Sequence, residues 1–180
     1  MSKEKKKIPK EEIEKIMERA RQLLGAVMLM VDPKVVYGKL KAFLDILNFS
    51  YLIDPKTRTL IVPIAVRDEG GNLHKHEIII TVENTWIVSR TRVISIPKIP
   101  ADVRERLYKI LLRANADMPE CNFGIDKDDN IVLTQSILIT ALHFEGFAEE
   151  FLAIPAALKY FWSGIYPEIR EEFEKSAEIT

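Results

Sequence analysis

Two histidines in the segment HKH, His74 and His76, are the side chains best placed in the sequence to bind a metal ion. Residues i and i+2 of a β-strand project from the same face, so both imidazoles could reach one ion. A zinc site needs a third and usually a fourth ligand, and the one further histidine is His143. Nearby carboxylates such as Glu77 fit no metal-binding spacing. The sequence therefore predicts no metal site, and a metal-dependent enzyme that uses His74 and His76 is kept as the alternative hypothesis.

A run of acidic and amide side chains, DKDDN at residues 126–130, supplies the oxygens that calcium prefers. Asp126, Asp128 and Asn130 fit the first, third and fifth positions of an EF-hand loop. The sixth position, where the loop needs glycine, is Ile131, and the twelfth, which needs glutamate, is Ile137. Asp and Asn also favour tight turns, so the run predicts a hairpin turn between two strands.

Neither a nucleophile motif nor a cofactor motif occurs in the sequence. Ser136 and His143 lack a G-x-S-x-G elbow or a comparable context, and there is no phosphate-binding glycine loop. Cys121, the single cysteine, lies between Glu120 and Asn122, which offer no positive charge to stabilise a thiolate. It is predicted to be a small core residue. The sequence thus predicts no catalytic residue, no cofactor and no enzymatic activity.

Composition and charge exclude several classes of function. The 180 residues carry 26 basic and 27 acidic side chains, so no global field favours nucleic acid or an anionic membrane. The basic cluster at residues 3–7 is interpreted as a solubilising tail, and the apolar stretch at residues 23–31 is too short to span a bilayer. With one cysteine and no signal-peptide cleavage site, the chain is predicted to be cytoplasmic. The scarcity of Gln beside abundant Lys and Glu hints at a thermophile.

Hydrophobic periodicity places helices and strands around these residues. The spacing of apolar side chains predicts helices over residues 9–31, 33–48 and 101–116, and from about residue 147 onward. Short β-rich segments predict strands at residues 51–54, 59–66, 76–82, 85–88, 92–96, 121–125 and 131–138. Adjacent strands with short turns imply an antiparallel sheet packed against helices, an α+β fold of order α-α-β-β-β(-β)-α-β-β-α.

The chain is predicted to form a single α+β domain over residues 32–175, preceded by a basic tail and an amphipathic helix over residues 1–31. The apolar residues of that first helix fit two interpretations, a core helix or an interaction surface. Pro63 is predicted at a sheet edge or a bulge, because it cannot donate a ladder hydrogen bond. Pro155 is predicted to kink or restart the last helix, and residues 168–175 to form a final short helix.

Several stretches resemble the YbjN-like family, which shares the fold of type III secretion chaperones. They are RLYKILLRANADMPECNFGIDKDDNIVLTQSILI, from residue 106, then FAEEF and LKYFWSGIYPEIR. The matching features are the polar LLRAN helix end, the Phe123-centred strand, the acidic turn, the apolar strand and a long helix that ends near Tyr166. The resemblance covers residues 33–170 and implies an α+β fold, dimerisation and binding of extended client segments, with no active site to transfer. The helix at residues 9–31 and Pro155 depart from the family's pattern.

The leading hypothesis is a cytoplasmic, homodimeric protein-binding module that is chaperone-like or regulatory. It follows from the resemblance and from the lack of a catalytic motif. The helix over residues 101–116 and the sheet edges are the predicted interfaces with a client protein or a second copy. No nucleic-acid partner and no membrane partner is predicted.

Overall fold

Six antiparallel strands and four helices form the fold within the described part of the chain. The computed structural model describes residues 9–30, 32–96, 101–118 and 120–170. The helices are α1 (Lys10–Met30), α2 (Pro33–Ile46), α3 (Ala101–Asp117) and α4 (Phe144–Tyr160). The strands are β1 (Leu52–Asp54), β2 (Thr59–Arg67), β3 (Leu73–Glu83), β4 (Trp86–Ser95), β5 (Asn122–Ile125) and β6 (Asn130–Leu138). The predicted α+β fold and the order of its elements are confirmed.

The strands make one sheet in the order β1-β2-β3-β4-β6-β5, and each neighbouring pair is antiparallel. The short β1 pairs with β2 only as far as Ile61. Pro63 therefore lies where β2 forms the edge of the sheet, as predicted for a residue without a backbone donor.

The core lies between one face of the sheet and the helices α2, α3 and α4. Alternate strand residues point to that face, because side chains of a strand alternate with a period of two. They include Val62, Ile78 and Ile80, which are fully buried. Helical spacing brings Phe147 and Phe151 of α4 onto the same core, where their rings stack at 5.4 Å. The opposite face of the sheet carries mostly exposed residues.

The predicted tight turns are confirmed by left-handed backbone at their polar residues. Asn84, between β3 and β4, has φ of 54°, and Asp129, between β5 and β6, has φ of 56°. Asn and Asp tolerate this conformation better than other side chains. In the acidic run, Asp126 Oδ1 accepts hydrogen bonds from the backbone N–H groups of Asp128 and Asn130, each at 2.9 Å. The run is a hairpin turn that uses its own oxygens.

Asn115, in the LLRAN segment, connects α3 to the edge strand β5 through two hydrogen bonds. Its Nδ2 donates to the carbonyl of Phe123 at 3.0 Å, and its Oδ1 accepts from the N–H of Phe123 at 2.7 Å. The side-chain amide thus satisfies one donor and one acceptor of the edge strand, as a neighbouring strand would. This gives a physical reason for the asparagine at the end of that helix.

Three elements differ in their bounds from the sequence prediction. β3 begins at Leu73, three residues before its predicted start at residue 76. β4 is one continuous strand, where the sequence indicated two β-rich segments, and it has a bulge between Arg92 and Ile94. α4 begins at Phe144, earlier than predicted, because His143 Nδ1 accepts a hydrogen bond from Gly146 N at 3.1 Å and caps the helix.

Of the kink or restart predicted at Pro155, the restart is wrong. α4 runs through Pro155 to Tyr160, and a π-helical turn over Phe161–Ile165 follows. Residues 168–170 of the predicted final helix are helical, whereas residues 171–175 and the basic cluster at 3–7 lie outside the described residues. Among the helices described, none has the length and apolar character needed to cross a membrane.

Candidate functional site

The sheet opens between β3 and β4. Their ladder runs only from the pair Glu83–Trp86 to the pair Ile79–Arg90. Beyond it, residues 73–78 of β3 pair with β2 alone, and residues 91–95 of β4 pair with β6 alone, within the described residues. The two halves of the sheet diverge there and leave an open groove of about 1340 Å³.

The walls of this groove come from both halves of the sheet and from the π-helical turn that follows α4. Three short strand segments contribute most of the lining, together with the acidic hairpin and one tryptophan: Pro63–Ala65, Leu73–Glu77, Arg92–Ser95, Asp126, Asp128, Asn130 and Trp162. Positive and negative side chains are both present, so no single sign of charge dominates the groove. Its size and openness suit a stretch of polypeptide better than a small enclosed ligand, whose pockets measure about 300–1000 Å³.

His76 bridges the groove with both of its ring nitrogens. Nδ1 lies 3.0 Å from the main-chain oxygen of Arg92, across the gap on β4. Nε2 accepts a hydrogen bond of 2.9 Å from the indole N–H of Trp162. The indole can only donate, so Nε2 carries the lone pair and Nδ1 carries the proton that the Arg92 carbonyl accepts. His76 is therefore neutral. Its two hydrogen bonds connect β3 both to β4 and to Trp162.

Trp162 also stacks on His74. The two rings are nearly parallel, at 8°, with centroids 3.8 Å apart. His74 Nε2 lies 3.0 Å from Asp68 Oδ2 in the turn before β3. The hydrogen bond from His74, followed by that from Asn72, lowers the pKa of Asp68 to about 2. This carboxylate stays ionised and fixes the imidazole against the indole.

Burial lowers the pKa of His76, and the hydrogen bond to the Arg92 carbonyl opposes this in part. His74 and His76 do share a face of β3, as the strand spacing predicts. Because hydrogen bonds occupy both nitrogens of His76, the geometry favours a bridging role over metal binding. No group of three His, Cys, Asp or Glu side chains that could hold a metal ion occurs among the described residues.

The other residues singled out in the sequence have separate, structural positions. Cys121 is 2% exposed, and burial raises the pKa of its thiol to about 11, so the predicted core role is confirmed. Ser136 is exposed on β6, whereas His143 caps α4. No hydrogen bond joins Ser136 to His143 in the described part of the chain, so the structure does not assemble a catalytic pair from them.

No protein-family model and no curated protein matches the sequence. Solved structures match at low identity. The ExsC–ExsE complex matches at 14% identity with a TM-score of 0.51, over 73% of this chain and 95% of that one. YbjN of E. coli matches at 15% identity with a TM-score of 0.51, over 73% and 91%. The HopA1–SchA chaperone–effector complex matches at 17% identity with a TM-score of 0.49, over 73% and 97%.

The chain has a YbjN-like fold. This confirms the fold that the sequence resemblance predicted, the one shared with type III secretion chaperones.

Within this YbjN-like fold, sequence reasoning missed the groove and the role of Trp162. Trp162 belongs to the last predicted helical stretch, and the structure shows it partly buried against His74 of β3. The Arg92 carbonyl is a main-chain group, so the residue type at position 92 does not predict its hydrogen bond to His76. One available signal was the pair of histidines on one strand face, which needed an aromatic or polar partner from a distant element.

Proposed function

We propose that the chain is a protein-binding module, chaperone-like and without catalytic activity, that holds an extended segment of a partner protein in the groove between β3 and β4. The observation that carries the proposal is the divergence of the sheet. Among the described residues, it leaves residues 73–78 and residues 91–95 with a ladder partner on one side only. An open strand edge binds extended peptides through main-chain hydrogen bonds.

The side chains at the groove suit a polypeptide segment of mixed character. Leu73 and Ile79 are 50% and 42% exposed and offer apolar contacts. Lys75 and Glu77 lie between them with opposite charges. Recognition would therefore depend mainly on backbone hydrogen bonds, with side chains that set the register. An added strand would run antiparallel to one edge and parallel to the other, since β3 and β4 are themselves antiparallel. To pair with the β4 edge at Arg92, it would have to displace the imidazole of His76 from the Arg92 carbonyl.

The comparison with known structures supports a protein partner. The similar fold of ExsC–ExsE was solved as a complex of two proteins. The lack of a catalytic motif in the sequence agrees with binding as the function. We place this activity in the cytoplasm, as the composition predicts.

Capture of the partner from a native lysate of the source organism tests the proposal. Wild type is compared with Ile79→Asp, which puts a charge at the mouth of the groove, and with Leu152→Asp, a matched change at an exposed leucine of α4 outside the groove. Wild type and Leu152→Asp should capture the same protein, and Ile79→Asp should lose it.

Hydrogen exchange on the purified complex then locates the contact. The bound partner should slow exchange at residues 73–78 of β3 and residues 91–95 of β4. Equal capture by all three forms, or protection confined to another surface, would show that the groove is not the binding site.

A further inference from the structure

A second, smaller pocket lies between α2 and the hairpin of β1 and β2. We call it the basic pocket, and its lining consists of Lys34, Tyr37, Lys41, Ile53, Pro55, Arg58 and Leu60. None of these residues lines the groove between β3 and β4. Its volume of about 210 Å³ is below the range of about 300–1000 Å³ that is typical for drug-sized ligands, so it suits a single chemical group.

Helix and strand spacing bring the lining side chains together. Lys34, Tyr37 and Lys41 follow one another at steps of three and four residues, so they form one line along α2. Ile53 and Leu60 are register partners of β1 and β2 and project from the same face of the sheet. Leu60 is buried and Ile53 is exposed, so this apolar wall has surface left to contact a ligand.

Every charged side chain that lines the basic pocket is a cation, although the chain as a whole has a net charge of −1. The three cations are Lys34, Lys41 and Arg58, and Lys41 is half-buried. None of them forms an ion pair with a carboxylate in the described part of the chain. Half-burial of a cation without a counter-charge is unfavourable, and an anionic ligand would supply that charge.

The acidic residues of the same segment are engaged elsewhere. Residues 32–60 contain three of them, and none lines the basic pocket. Asp32 and Asp54 accept hydrogen bonds within their own turns. Asp45 interacts with Tyr51. The positive charge of the pocket is therefore left for a ligand.

Two further observations point to a ligand. The hydroxyl of Tyr37 accepts a hydrogen bond of 3.2 Å from the N–H of Val82, so its own proton can donate into the pocket, and no acceptor takes it among the described residues. Arg58 has φ of 54°, whereas Asn or Asp occupies every other described non-glycine position with positive φ. The turn itself would favour Asn or Gly, so the arginine is explained by its side chain and not by the turn.

We propose that the basic pocket binds the phosphoryl group of a phosphate monoester with an apolar or aromatic carrier. At neutral pH this group has a charge of about −1.5 to −2 and three acceptor oxygens, which suits three cations and a hydroxyl. Arg58 would bond two oxygens at once, and the lysines would add point charges. A carboxylate has one charge and two oxygens and would leave part of this donor set unused.

The carrier would pack on Ile53, Pro55 and Leu60. A phosphorylated side chain of a partner protein and a free phosphorylated metabolite share this chemistry. The proposal does not depend on binding in the groove.

Titration of the full chain with phenyl phosphate, followed by amide NMR shifts, tests the proposal. Wild type should show saturable shifts in residues 34–41 and 53–60, and benzoate, with the same ring and one charge, should bind at least about ten-fold more weakly. Arg58→Asn and Lys41→Met should each weaken phenyl phosphate binding by about ten-fold, because each removes a charge-assisted hydrogen bond. Lys39→Met, at an exposed lysine of α2 outside the pocket, should bind like wild type.

Thermal unfolding separates lost binding from lost folding. Arg58→Asn should be at least as stable as wild type, because asparagine suits the left-handed turn. A short phosphotyrosine peptide that binds more tightly than phenyl phosphate would support the proposal with a partner protein as the source, and equal binding would support it with a free phosphorylated compound. No saturation with phenyl phosphate, equal affinity for benzoate, or unchanged affinity in both pocket variants would overturn it.

Discussion

Replacing Trp162 with phenylalanine should loosen the groove by removing one defined hydrogen bond. Phenylalanine keeps an aromatic ring beside His74 but has no N–H group to donate to His76 Nε2. The imidazole would then keep its contact with the Arg92 carbonyl and lose its hydrogen bond to the π-helical turn after α4. The link between β3 and the end of α4 would depend on ring packing alone.

The expected cost follows from the contacts that are lost. A typical intramolecular hydrogen bond contributes about 0.5–1.5 kcal/mol to the free energy of unfolding. The smaller ring also loses part of the contact with Phe161 and Tyr166, whose centroids lie 5.2 Å and 4.9 Å from that of Trp162. We therefore expect Trp162→Phe to cost about 1–1.5 kcal/mol. Trp162→Ala should cost about 2–3 kcal/mol, less than a fully buried aromatic, because Trp162 is partly exposed.

Urea unfolding followed by far-UV circular dichroism measures these values, and Trp86→Phe is the matched control. Trp86 is 45% exposed at the start of β4, so its replacement should change the free energy of unfolding by less than about 0.5 kcal/mol. Hydrogen exchange should become faster in residues 73–78 of β3 than in β6. The reasoning is refuted if Trp162→Phe is as stable as Trp86→Phe, or if exchange rises equally throughout the sheet.

Three further predictions concern single side chains. Burial lowers the pKa of His76 below its ordinary value, so the unfolded chain binds a proton more readily than the folded chain. The free energy of unfolding should therefore fall as the pH decreases through about 6.5. Urea unfolding from about pH 8 to 5.5 should show this slope in wild type and a flatter slope in His76→Gln. Asn115→Ala removes both hydrogen bonds to Phe123 and should lower the free energy of unfolding by about 2 kcal/mol, measured by thermal unfolding. The control Leu112→Ala, at a side chain that is 69% exposed, should change this free energy little. The pKa of Cys121, at about 11, leaves about one thiol in a thousand ionised at pH 8. A thiol reagent should therefore label Cys121 only when the chain is unfolded in urea, and rapid labelling of the folded chain would contradict this.

Turns and strand faces could be read from the sequence because a few neighbouring residues determine them. Pro63 indicated a sheet edge through its missing donor, and the Asp and Asn residues at 126–130 indicated a hairpin through their turn chemistry. The common face of His74 and His76 followed from the period of two in a strand. In each case the physical cause lies within a short segment of the chain.

The groove could not be read in the same way, because it depends on pairings between distant segments. β3 and β4 separate where β4 begins to pair with β6 alone, and the bulge after Arg92 changes its register there. Trp162 meets His76 across 86 residues of sequence. The metal hypothesis arose because strand spacing predicts which side chains share a face, but it does not predict which distant group meets them.

The π-helical turn at Phe161–Ile165 offers a last test of how the end of α4 is built. A π turn closes its hydrogen bond one residue later than an α turn, and here the N–H of Tyr166 bonds to the carbonyl of Phe161. Removing one residue inside the turn should convert it to an α turn and leave both flanks in register. Ser163 is the residue to delete, because its buried hydroxyl has no hydrogen-bond partner among the residues that the structure describes.

Deleting Ser163 should therefore leave the thermal stability of the chain nearly unchanged. Deleting Ala156, within the regular part of α4, should instead rotate every later residue by about 100° and remove Phe161 from the core. A smaller loss of thermal stability for the Ser163 deletion than for the Ala156 deletion would show that the π turn accommodates one extra residue. If both deletions destabilise the chain equally, the extra residue is itself required, and the π turn positions Trp162 through Ser163.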